Sequence, residues 1–116
     1  MSPNFAMALL MLLNAARADV HLPPFREDPT LSGRAQQRAE SLCASHQFSH
    51  DGWQAAFRGS PYGWTGENLA MGHQEPRAVH GQLMSSSGHR ANILKREFRA
   101  VGIGHACTIT VELFGG

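Results

Sequence analysis

Cysteine is scarce in this chain: Cys43 and Cys107 are its two cysteines in 116 residues. Two are too few for a disulfide scaffold, and their wide spacing matches neither a zinc knuckle nor a redox motif. Two readings stay open. In an oxidising compartment a Cys43–Cys107 bridge would close a long loop and stabilise the fold by roughly 4–5 kcal/mol on the chain-entropy model. In a reducing one, both thiols would pack as small apolar groups. Excess charge of either sign is also missing. Ten basic and nine acidic residues leave a formal charge of +1. With no long run of either sign, a broad cationic face for a phosphate backbone is excluded, and no nucleic-acid partner is expected.

Long hydrophobic runs are absent too. The most apolar stretch, Ala6 to Leu13, is too short to cross a bilayer, so no transmembrane segment is expected. Ala16-Arg17-Ala18 after it has the look of a signal-peptide cleavage site. Met1 to Ala6, however, has no Lys or Arg to supply the positive charge that precedes an export signal's apolar stretch. Leu9, Leu10, Leu12 and Leu13, followed by Asn14 and Arg17, read instead as an amphipathic structural helix, with any export signal absent or trimmed.

What the chain does have is the composition of a soluble globular protein, 42 % hydrophobic residues plus 12 glycines. No internal repeat or low-complexity linker interrupts it, so residues 1–116 are expected to form a single domain. Asn4 is placed to cap a first helix running to about Ala18. Leu22-Pro23-Pro24-Phe25 forces an extended exit. Asp28-Pro29 supplies an N-cap and a first-turn proline for a second helix. That helix should reach about His46, with Leu31, Ala35, Ala39, Leu42, Cys43 and His46 on one stripe and Arg34, Gln37, Arg38 and Glu40 mostly on other faces. Asp51 to Arg58 reads as a short third helix capped by Asp51. Gly63 to Gly66 reads as loop and Glu67 to Met71 as a short strand. Glu75-Pro76 opens a helix to about Ser85, Ser85 to Gly88 break it, and His89 to Leu94 add one more turn. From Arg99 to Phe114 the chain is rich in Val, Ile, Thr and Phe and reads as strand, with Gly102 and Gly104 marking a bulge or a close backbone approach. A hairpin there needs a turn, yet Cys107-Thr108-Ile109-Thr110 contains none of the usual turn residues. The alternatives are a strained turn or one long strand. Helices first and strands last define an α+β fold class.

Seven histidines are many for this length. His50, Glu67 and His89 each adjoin loop-forming residues, where a scaffold presents functional groups. Two imidazoles and a carboxylate can bind zinc, with water at the fourth position. They can equally form an acid/base set, since histidine titrates near neutral pH. Spacing alone does not bring the three together, and a single loop histidine is more often a surface or hydrogen-bonded structural residue.

Three segments, in this order, make the chain resemble a bacterial-type CAP domain, also called an SCP domain. They are Phe48-Ser49-His50-Asp51-Gly52, Gly66-Glu67-Asn68-Leu69-Ala70 and Gly88-His89-Arg90-Ala91-Asn92-Ile93-Leu94. The superfamily includes cysteine-rich secretory proteins, insect venom allergens and plant pathogenesis-related proteins. The likeness extends to Leu12-Leu13-Asn14-Ala15-Ala16-Arg17, Leu22-Pro23-Pro24-Phe25, Val101-Gly102-Ile103-Gly104 and Leu113-Phe114-Gly115-Gly116. It implies an α-β-α sandwich with a small antiparallel sheet between helices, and a secreted or periplasmic location. It also implies a cleft in which His50, Glu67 and His89 form three members of a two-His, two-Glu tetrad. The larger relatives carry the second glutamate three residues after a tryptophan. Here Leu83 and Ser86 stand in those places, and Thr110 stands where an aromatic residue precedes the final Phe-Gly.

The remaining polar residues have plainer readings. His46 continues an apolar stripe and should pack at the core edge. His73, His80 and His105 have no local partner and should face solvent or cap element ends. Asp51 is a cap for the third helix before it is an orienter of His50. Ser49 and the serines at 85 to 87 lack a nucleophile elbow, and Ser87-Gly88-His89 reads as a turn. Arg90 and Asn92 should tie loop carbonyls near the cleft. Trp53 and Trp64 should be packing residues that can also wall it.

The expected function is a secreted or surface-associated monomer that binds a small apolar ligand or a protein partner. The alternative is a metal-assisted hydrolase of peptidase or esterase type, with zinc held by His50, Glu67 and His89. It ranks second because no nucleophile or oxyanion stabiliser can be named and Ser86 removes a carboxylate. In a third reading the polar cluster only braces the loops.

Overall fold

The computed structural model describes the backbone of residues 3–116 and the side chains from Phe5 onward. Four helices, α1 (Pro3–Asp19), α2 (Pro29–Ser45), α3 (Pro76–Met84) and α4 (Ser87–Ile93), enclose four strands, β1 (Arg26–Glu27), β2 (Thr65–Met71), β3 (Ala100–Ala106) and β4 (Ile109–Gly115). A short 3-10 helix, Trp53–Phe57, precedes β2. The strand order is β1-β3-β4-β2. β4 pairs antiparallel with both neighbours, while the two-residue β1 adds to β3 in parallel, so the sheet is mixed rather than purely antiparallel.

Alternation along the strands sends side chains to two separate cores. On one face Leu69, Val111 and Leu113 pack with Leu31, Ala35, Ala39 and Leu42 of α2. On the other, Ala70, Ile103 and Phe114 pack with Phe5, Leu9 and Leu13 of α1, Val79 and Leu83 of α3, and Ile93 of α4. This is the α-β-α sandwich. The Ala6 to Leu13 run belongs to it, with Leu9 and Leu13 fully buried.

α2 starts where expected: Asp28 Oδ1 accepts from Thr30 N at 2.8 Å and Leu31 N at 3.2 Å. Gly102 and Gly104 mark a close approach, since a Cβ on either would collide with the α2 backbone at Leu31 or Ala35. The β3–β4 register is uninterrupted, so neither glycine is a bulge. The β3–β4 hairpin forms with Cys107-Thr108 as its turn, Cys107 taking the positive φ (55°) that glycine usually supplies. Cys107 is bonded to Cys43, which ties the turn to the last turn of α2.

Several expectations are corrected. α1 begins at Pro3, so Asn4 lies within it, and the Asn4 side chain falls outside the described residues. Arg17, read as the polar end of α1, is fully buried. It donates to four carbonyls, those of Pro23, Ile93, Lys95 and Phe98, at 2.8–3.0 Å, with its guanidinium 4.0 Å from the Phe25 ring centroid. His46 is exposed, because it leaves the helix in the left-handed conformation (φ 54°) and turns off the stripe. The 3-10 helix is preceded by Gly52 with no side-chain cap, so Asp51 does not cap it. α3 does break at Ser85-Ser86, but Ser87-Gly88-His89, read as a turn, is the first turn of α4. His105 is buried between Gln74 and Thr110, each 2.8 Å from a ring nitrogen, and stacks on Phe5. Trp53 packs at the α2 core, whereas Trp64 is exposed beneath the Lys95 ammonium.

Candidate functional site

β2 is an edge strand, and the candidate site wraps around its open side. Glu67 points to the α2 face, where its side chain is 1 % exposed. A carboxylate buried that deeply needs compensating charge. Arg38, one turn after Ala35 on α2, supplies it through a two-point ion pair, with Nε to Oε2 and Nη2 to Oε1. The same guanidinium donates to the carbonyls of Ser49 (3.0 Å) and Asp51 (3.2 Å), which fixes the loop that carries His50. His50 Nδ1 lies 2.9 Å from Glu67 Oε1, while the rest of the ring is open to solvent, the side chain being 57 % exposed. Asp51 therefore does not orient His50; Glu67 does.

Asn68, the next residue, points to the other face and is fully buried. Its amide nitrogen donates to the His89 carbonyl (3.1 Å) and to Glu112 Oε1 (3.2 Å), and its oxygen accepts from Asn92 (2.9 Å). Asn92 also reaches the Glu67 carbonyl at 3.4 Å, and Arg90 donates to the Met84 carbonyl, so both tie backbone as expected. His89 is half-buried at the start of α4. Burial, with the nearby His50, lowers its pKa and favours the neutral imidazole.

His50 and Glu67 are thus in contact. His89 lies near enough for His50 to act on it electrostatically, but its ring makes no hydrogen bond to either. Zinc binding would require three side-chain donors converging on one point. Among the described residues no group of three His, Cys, Asp or Glu side chains is placed to do this. Both Glu67 oxygens are already engaged, and the Arg38 charge stands against a second cation. As arranged, the three residues do not fit a zinc centre.

The sequence reading missed Arg38, Asn68 and Glu112. Arg38 sat on the border of an apolar stripe and passed for a solvated face. Glu112 had a usable signal, as a lone acid within Ile109-Thr110-Val111-Glu112-Leu113-Phe114, a run too apolar to leave it a wet side.

The fold is that of the CAP class of domain. Residues 10–109 match the CAP family, described as the cysteine-rich secretory protein family, and the chain belongs to it. It is 35 % identical over 104 residues to the uncharacterized protein YkwD of Bacillus subtilis, a match covering 81 % of this chain and 39 % of YkwD. An extracellular SCP-domain protein of Bacillus anthracis superposes with a TM-score of 0.91 at 22 % identity, covering 99 % of this chain and 44 % of that one. An outer surface protein of Borrelia burgdorferi gives 0.90 at 21 % identity, covering 99 % and 94 %. The chain thus spans less than half the length of the two Bacillus proteins. At these identities the two structures show a shared fold.

Proposed function

We propose that this domain is an extracellular or surface-associated binding module whose ligand is a small apolar molecule. The observation that carries the reading is a groove of about 510 Å³ between α1 and the start of α3, lined by Ala8, Met11, Leu12, Ala15 and Pro76, with Glu75 and Arg77 at its polar end. Its size lies within the range of small-molecule pockets. Met11 is 69 % exposed, an unusual cost for an apolar side chain that serves only the fold. An alkyl chain laid along α1 would cover Met11 and Leu12 and bring its polar end to the Glu75-Pro76-Arg77 segment. The location rests on the secretory family and on the extracellular and surface proteins that share the fold.

The hydrolase alternative has less support. Glu67 is committed to Arg38 and His50 and is not a free base, and among the described residues no hydroxyl or thiol is hydrogen-bonded to the His89 ring. Titration with a long-chain saturated fatty acid, followed by calorimetry, tests the reading. Saturable binding should survive His50→Ala and be lost in Leu12→Arg. Binding that instead fails in His50→Ala, or no binding at all, would sink it.

A further inference from the structure

Glu112 lies in the middle of β4, paired with Asn68 of β2 and Ile103 of β3, and is fully buried. Its side chain faces the α1/α3/α4 core with Ala70 and Ile103. Oε1 accepts the single hydrogen bond from Asn68, and Oε2 has no partner among the described residues. Of the titratable or charged groups on the surrounding elements, His80 Nδ1 of α3 is likewise buried without a partner among the described residues, and the rest are engaged, half-buried or exposed. Arg17 of α1 is spent on four carbonyls, and His105 of β3 on Thr110 and Gln74. Burial pushes His80 of α3 and His89 of α4 towards their neutral forms. Asp19, Glu75, Arg77 and Arg90 are exposed. Among the described residues, no ion pair includes Glu112.

An unpaired carboxylate in such a place costs far more than a neutral acid with one unmet hydrogen bond. Burial accordingly pushes Glu112 up to about 7, against 4.5 for the free side chain. The group is also connected. Asn68 Nδ2 serves Glu112 with one hydrogen and the His89 carbonyl with the other, so any demand for donors from Glu112 falls on one of the bonds that tie α4 to β2.

We propose that Glu112 is held as a neutral carboxylic acid and is a pH-sensitive support of α4. Losing its proton draws on Asn68, loosens the Asn68–His89 contact, and shifts the cleft wall that carries His89. The device is independent of what the groove along α1 binds. Its sign is fixed by linkage. The folded-state value lies above the unfolded one, so the stability Glu112 contributes is full below about 4.5 and is lost as pH rises through about 7.

The test combines carboxyl 13C NMR of glutamate-labelled protein with thermal melts of wild type and Glu112→Gln. The Glu112 carbon should titrate near neutrality. The Gln side chain, neutral at every pH, should gain in Tm relative to wild type between pH 5.5 and 8. Amide and ring resonances of His89 should show an inflection at the Glu112 midpoint, absent in Glu112→Gln. A Glu112 carbon titrating near 4.5, or a Tm difference equal at both pH values, overturns the neutral acid. A His89 with no such inflection overturns the coupling. If the variant does not fold, the wild-type carboxyl and His89 titrations decide both points.

Discussion

Arg38 and Glu67 meet as a two-point ion pair between α2 and β2, with side-chain exposures of 13 % and 1 %. Removing one partner strands the other. Arg38→Met should destabilise the domain by about 3–5 kcal/mol, the usual cost of an uncompensated buried charge, while the double variant Arg38→Met, Glu67→Leu should recover much of the loss. Urea unfolding of the three proteins checks this. Equal losses in single and double variants would show that the pair is not the cause.

The Cys43–Cys107 bridge spans 64 residues and joins the hairpin turn to α2. A loop of that length is worth about 4 kcal/mol on the chain-entropy model. Cys107 is exposed, so a dithiol can reach it without prior unfolding. Dithiothreitol should therefore lower Tm sharply, and the double variant Cys43→Ser, Cys107→Ser should melt at the reduced protein's temperature in either redox state. A Tm unmoved by reductant would refute the stabilising role.

Gly104 leaves its α-carbon bare where α2 crosses β3 at Ala35. A methyl group there forces the helix off the sheet, and Gly104→Ala should cost about 1–3 kcal/mol or more. Gly33→Ala, at a position on α2 with open space around the added carbon, is the control and should be neutral or stabilising.

How far the sequence could be read depended on whether a residue's partner was near in the chain. Asp28, Pro29 and Thr30 form one local device, and the second helix was legible from it. The CAP motifs likewise marked His50 and Glu67, which do touch. Arg17 and Arg38 looked like solvated cations because their acceptors lie up to 81 residues away. His105 seemed partnerless for the same reason: Gln74 comes from the segment between β2 and α3. His46 failed differently, since one left-handed residue is enough to leave a helical stripe.

His105 yields the pH prediction of opposite sign to that of Glu112. Burial lowers its pKa, as it does for His80 and His89. Their contribution to stability is present above the unfolded value of roughly 6.5 and is lost as pH falls below it. Melts of Glu112→Gln, which lacks the competing carboxyl, should therefore show Tm falling from pH 7 to pH 5. His105 ring resonances should titrate below the ordinary histidine range, and a midpoint at or above 6.5 would contradict the assignment.

The strand order also governs when the domain can form. β3 and β4 come after every other element of this domain, yet they are the two inner strands, and β1 and β2 have no pairing with each other. Until residues 100–115 emerge, α2 has no glycine-lined strand to lie on, and α1, α3 and α4 have no Ile103 or Phe114 to cover. A growing chain thus carries both half-cores open until this domain's final hairpin is made, accessible to chaperones and proteases. The final hairpin closes both faces at once, so truncation within it costs the whole fold rather than an edge.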